Sequence, residues 1–144
     1  MRTPSQTVGP FYSIGLCRRA ENVLADDGVR VSGMLLDGAG EPIPDGLIEV
    51  WSAAARAWGR CGTHPDGRFE FVLPKAPHYD VYVFARGLLR HQLTRLYFPD
   101  EPDDAVLASL TPDERATLVA QPDRDGLRFD IRMQGESQTV FFAT

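Results

Sequence analysis

The stretch from Ala76 to Phe98, APHYDVYVFARGLLRHQLTRLYF, constrains the fold of this chain more than any other. Tyr79 to Phe84 is an almost unbroken run of tyrosine, valine and phenylalanine, residues that suit a pleated strand and, at this density, one buried on both faces. Arg86-Gly87 supplies the turn, because glycine accepts the positive φ that a tight connection needs. From Gln92 to Phe98 the pattern alternates, with Gln92, Thr94, Leu96 and Phe98 on one face and Leu93, Arg95 and Tyr97 on the other. Such a hairpin needs a sheet to lie in. Arg86, Arg90 and Arg95 also make it a local positive cluster, with no acid between Phe84 and Tyr97 in a chain of net charge −5.

The remaining segments supply that sheet. Val29 to Leu36, Gly46 to Trp51 and Arg68 to Leu73 read as strands, the last alternating Phe69, Phe71 and Leu73 against Arg68 and Glu70. Leu127 to Met133 alternates in the same way, and Gly135-Glu136 turns it into a last strand, Thr139 to Phe142. Ala53 to Gly62 shows no clear period. DGAGEPIPDG and His64-Pro65-Asp66-Gly67 are turns. Residues 101–121 hold the single helical region, where Thr111, Pro112 and Glu114 give an N-cap, a first-turn proline and a capping-box acid, and Pro122 ends it. Residues 1–16 form an extended arm that carries Val8, Phe11, Tyr12, Ile14 and Leu16. A disordered tail would be poorer in large apolar groups, so the arm is expected to dock on its own domain or a neighbour. Residues 1–144 thus read as one all-β domain, a sandwich of seven or eight strands with one helical excursion.

Composition narrows the function. A sequence pI near 5.1 argues against nucleic acid, whose phosphates need a basic face. No apolar run approaches the ~20 residues that span a bilayer, and the first eleven residues lack the apolar core of a secretory leader. Cys17 and Cys61 are far apart and show no metal-type spacing, so a reduced, cytoplasmic setting is expected.

Candidate chemistry is sparse. No serine has the Gly-x-Ser-x-Gly context of a nucleophile elbow. His64 falls in a polar turn. His78 and Asp80, two residues apart on a strand, share a face. His-x-Asp with a later His is the ligand pattern of a non-haem Fe(II) facial triad, and His91 is then the third ligand of a small metalloenzyme. The competing reading makes His78 a hydrogen-bonded histidine at a strand entrance. Arg95, mid-strand, is expected to be partly buried. It either pairs with an internal carboxylate or presents a fork to an anionic ligand.

Five blocks then carry a resemblance that covers nearly the whole chain: TPSQTVGPF at 3–11, the PIPDGLIEVW run ending at Trp51, FARG at 84–87, TRLYF at 94–98 and RFDIRMQGESQTVFF at 128–142. Together they resemble the α subunits of protocatechuate 3,4-dioxygenases, in the intradiol ring-cleaving dioxygenase family. The resemblance implies an oligomer of β-sandwich subunits. In it an iron-bearing β partner holds Fe(III) through two Tyr and two His and opens a catechol ring between its hydroxyl-bearing carbons. It implies no cofactor on this chain: the family's His-x-His is here His78-Tyr79-Asp80, no tyrosine lies between Ser52 and His78, and the segment that would carry the tyrosine ligands is short. It further implies that the arm lends Gly9, Pro10 and Phe11, and the sheet Arg95, to the substrate pocket of the partner. Phe11 stands where the family has tyrosine and lacks its hydroxyl. A sandwich that assembles with itself as a binding or scaffold module is the alternative without catalysis.

Overall fold

The computed structural model describes residues 2–100 and 104–143. In chain order the elements are α1 (Tyr12–Leu16), β1 (Val29–Leu36), β2 (Leu47–Ser52), β3 (Ala57–Gly62), β4 (Arg68–Leu73), β5 (His78–Phe84), β6 (Gln92–Tyr97), α2 (Ala105–Ala108), α3 (Pro112–Ala116), β7 (Gln121–Asp123), β8 (Gly126–Arg128) and β9 (Ile131–Arg132). They form two sheets. One runs β4-β1-β8-β7, with β9 also on β1, and the other runs β3-β2-β5-β6. Phe69, Phe71, Leu73, Val31, Leu35 and Ile131 from the first sheet meet Ile48, Val50, Tyr79, Val81, Val83 and Leu96 from the second in one core. The expected sandwich is therefore present, with nine short strands among the described residues.

Several local expectations need correction. The β5 run is not buried on both faces. Tyr79, Val81 and Val83 enter the core, while His78, Asp80, Tyr82 and Phe84 are half-buried on the outer face. Ala57–Gly62 is a strand, paired antiparallel to β2 from Leu47↔Gly62 to Ser52↔Ala57. Its period was hidden because it is inverted in size: the small Ala57 and Cys61 pack against the core and Gly59 is buried, whereas Trp58 lies out. The turn before it places Arg56 at φ +50, with no glycine or asparagine to announce it.

The single strand expected over 127–133 is divided in two at Phe129-Asp130. There the chain passes directly over Gly33, where a Cβ would lie 1.8 Å from the Phe129 carbonyl oxygen, so only glycine fits. The ladder is repaired by a side chain: Met34 N–H donates to Asp130 Oδ1 at 3.0 Å. Residues 139–142 are not a strand either. They touch the sheet through an isolated bridge, Leu93↔Phe142.

The helical excursion is two short helices. α3 carries the expected capping box, with Glu114 N–H donating to Thr111 Oγ1 and Thr111 N–H to Glu114. α2 is capped by Asp104, which accepts from Leu107 N–H at 2.8 Å. The segment lays Leu107 and Leu118 on Tyr97 in a second, smaller core. Pro122, expected only to stop the helix, lies within β7, where it pairs opposite Leu127 of β8. No helix among the described residues is long and apolar enough to cross a membrane.

Candidate functional site

The register of the four-stranded sheet fixes what its outer face presents. One row runs straight across all four strands as Trp58, Trp51, Asp80 and Arg95. The next row is Arg60, Glu49, Tyr82 and Leu93. His78 and Tyr97 pair beyond the first row, and Gly62, Leu47 and Phe84 lie beyond the second. Trp51 and Trp58, directly opposite each other, are 39% and 44% exposed, and the Arg60 guanidinium stands 5.0 Å from the Trp58 ring. Arg60 also donates through Nε to Glu49 at 2.8 Å, which places Glu49 outward as its neighbours Ile48 and Val50 require.

At the β6 end the polar groups close on one another. Arg95 donates through Nε to Asp80 Oδ1 at 2.9 Å, approaches Asp104 Oδ2 at 3.6 Å and lies 5.8 Å from the Phe142 ring. Tyr97 donates its hydroxyl to Asp104 Oδ2 at 2.7 Å, and burial pushes its pKa up to about 12, so it remains a donor at any ordinary pH. Burial alone would raise the Asp104 carboxyl. The hydrogen bonds from Leu107 N–H, Tyr97 and Val106 N–H, with the charge on Arg95, hold it below the usual carboxylate range instead. Two arginines of the positive cluster visible in the linear sequence meet acids in space, Arg95 with Asp80 and Asp104 and Arg86 with Asp45. Arg86 lies 2.9 Å from Asp45 in an ion pair.

The candidate ligand residues do not converge. His78 and Asp80 share the outer face as expected, with Nε2 and Oδ1 3.9 Å apart, but the Arg95 guanidinium already sits on that Asp80 oxygen. The His78 ring lies 5.5 Å from the Tyr97 ring. His91 packs against Tyr82 and Phe84, and so lies roughly 13–20 Å further along the strand, which removes the facial triad. Among the described residues no three His, Cys, Asp or Glu side chains are grouped to hold a metal ion. Tyr79, next to His78 in sequence, points into the core and donates to Pro74 O at 2.7 Å. A mononuclear iron does not fit this residue set, because a fixed organic cation occupies the carboxylate it would need.

The arm lies at the opposite end of the same face. Its last residues coil into α1 where an extended run was expected. Gly9, Pro10 and Phe11 precede that helix, all exposed, with Phe11 and Ile14 each 75% exposed. They do not meet Arg95 within one chain: the arm touches the Phe84 end of β5, whereas Arg95 pairs opposite Asp80. His64 is exposed in its turn. Cys17 and Cys61 are free thiols, both pushed up by burial and so unlike reactive thiolates. Sequence reasoning missed the tryptophan pair, which appears only once β3 is paired with β2, and Asp104, whose sole local signal is its N-cap position.

Comparison with known proteins fits this architecture. The structure matches the dioxygenase domain of a dioxygenase–carbohydrate-binding protein fusion from Streptomyces sp. SirexAA-E with a TM-score of 0.59 at 25% identity, over 79% of this chain and 87% of that one. The fold is that of an intradiol-type dioxygenase sandwich. The sequence is 35% identical to the protocatechuate 3,4-dioxygenase alpha chain of Burkholderia cepacia, over 98% of this chain and 96% of the relative. It is 24% identical to the beta chain from the same organism, over 76% and 65%. No family model matches. The chain belongs to the α chains of the protocatechuate 3,4-dioxygenase family. The alignment to the α relative extends over 190 positions against 144 residues here, so parts of that relative have no counterpart in this chain.

Proposed function

We propose that this chain is the iron-free half of a cytoplasmic two-subunit enzyme that opens the ring of protocatechuate or a related catechol. Fe(III) held by a β-type partner supplies the oxygen chemistry, and this chain shapes the pocket. The observation that carries the reading is the Arg95–Asp80 contact at 2.9 Å. On the face where His78 and Asp80 project, a guanidinium engages the carboxylate, which supports placing the iron elsewhere. Likeness to both chain types of the family supplies the elsewhere. In this reading Gly9, Pro10 and Phe11 form an apolar wall against the catechol ring, and Arg95, held in place by Asp80, is the charged lining of the pocket mouth. The free thiols of Cys17 and Cys61 suit a reducing compartment.

The test is co-expression with an iron-bearing β chain of the family, followed by size measurement, iron analysis and O2 uptake on protocatechuate. The expected result is a mixed oligomer that consumes O2, together with a colourless, iron-free chain when this one is purified alone. A burgundy chain with a phenolate charge-transfer band and one iron per chain would overturn the proposal. A stable oligomer of this chain alone that ignores the β chain would favour the scaffold alternative.

A further inference from the structure

The arm is held in an unusual way. None of the α1 residues is buried, so no core contact anchors the helix. Gln6 is exposed and Val8 only half-buried; with Phe84, Leu88, Leu89 and His91 they line a cavity of about 310 Å³. What holds the arm is a few polar pins. Tyr12 donates its hydroxyl to Phe84 O at 2.6 Å, Gly87 N–H donates to Thr7 Oγ1 at 2.6 Å, and Arg60 Nη1 donates to Leu16 O at 3.0 Å. Of these, the Tyr12 bond is the one that is half-buried and adjacent to the proposed wall. Tyr12 N–H and Ile14 N–H further tie back to Gly9 O and Phe11 O, at 3.4 and 3.2 Å, so Gly9 to Phe11 turns as a unit with the Tyr12 ring. Burial and the nearby Asp45 carboxylate raise the Tyr12 pKa, which keeps the hydroxyl a donor.

We infer that Tyr12 is a positioning residue of the arm: its bond to Phe84 O fixes where Gly9, Pro10 and Phe11 project toward the partner. The inference rests on the α-subunit reading for its consequence, though the pin itself belongs to this chain alone. Tyr12→Phe removes only a hydroxyl from an otherwise exposed segment and leaves the core untouched. Two measurements test it. In the isolated chain, hydrogen exchange of the amides across α1 should become about 2- to 10-fold faster, the effect of one net hydrogen bond. In the complex with an iron-bearing β chain, the same variant should raise KM for protocatechuate several-fold more than it lowers kcat, a split that a general loss of stability would not give. Unchanged exchange would overturn the pin. Faster exchange with an unchanged KM would overturn its role in aiming the wall. A wild-type pair without O2 uptake would sink the α-subunit reading instead, and the exchange comparison alone would then decide whether Tyr12 holds the arm.

Discussion

The two ends of the β5–β6 ladder handle polar and apolar groups in opposite ways. At the Asp80–Arg95 end, charges and hydroxyls from β5, β6 and the N-cap of α2 satisfy one another under the cover of Phe142, Leu107 and Leu118. At the Phe84 end, backbone and hydroxyl bonds hold the arm while Phe11, Ile14 and Leu16 face outward. Charge is closed inward at one end and apolar surface is opened outward at the other. Since contiguous exposed apolar groups mark contact surfaces, the second end is where this chain has something left to bury.

The comparison breaks most readily at the arm. Phe11→Asp combined with Ile14→Asp should leave the isolated chain folded, because neither side chain is in a core, yet abolish assembly with a β chain. Burying two such side chains is worth about 3–6 kcal/mol, so association should weaken by at least about 100-fold in sedimentation or titration. Unaltered assembly would show that the outward groups are not the contact surface. The closed end should respond in stability instead. Arg95→Met leaves Asp80 and Asp104 without their shared cation at a site three-quarters buried, and should cost about 2–3 kcal/mol, or roughly 6–12 °C in Tm. Kinetics of that variant in the complex sharpen the point. A larger loss on protocatechuate than on unsubstituted catechol assigns Arg95 to the ligand, and equal losses confine it to the ion-pair network.

Tyr97→Phe is a smaller probe of the same end. It removes the donor to Asp104, and with that carboxylate still 33% exposed and beside Arg95 it should lower stability by about 1 kcal/mol in urea unfolding. Smallest is the pH response. The Asp104 carboxyl is depressed in the folded chain, so its contribution is fully present above its unfolded pKa of about 3.9 and fades as pH falls through the lower folded value. Asp104→Asn should therefore reduce the urea midpoint at neutral pH yet flatten its decline below about pH 4. An unchanged acid slope would mean other carboxylates carry it.

Much of this contrast could be read from the chain beforehand, for reasons particular to each segment. β4 and β6 alternate because one face meets a core and the other meets solvent or a cover, and alternation survives in sequence. The capping box of α3 is local, so Thr111, Pro112 and Glu114 announced it. β3 was invisible because its inward residues are small and its turn relies on Arg56 at positive φ. The break at Phe129-Asp130 was invisible because its cause, Gly33, is distant in sequence. The same holds at the site. His78 and Asp80 on one face follow from a two-residue period, but no pattern within 76–98 shows that Asp45 and Asp104 arrive to neutralise Arg86 and Arg95. Pairing between remote segments is the information that periodicity does not carry.

The seam at Gly33 has a consequence for how the chain reaches this state. β1 lies between β4 and the fragments β8 and β9, and the bond from Met34 to Asp130 closes a separation of 96 residues. One edge of β1 can be satisfied early by β4, but the other stays open until residues 126–132 have been synthesised and β8 and β9 arrive in parallel register. Long-range parallel pairing of this kind is slow, because the closure entropy is lost before the contacts form. During that interval Val31 and Leu35 lie on an unpaired strand edge, a template for other chains. The nascent polypeptide, more than the finished sandwich, is thus the species at risk of aggregating, and slower synthesis at lower temperature should raise the soluble yield.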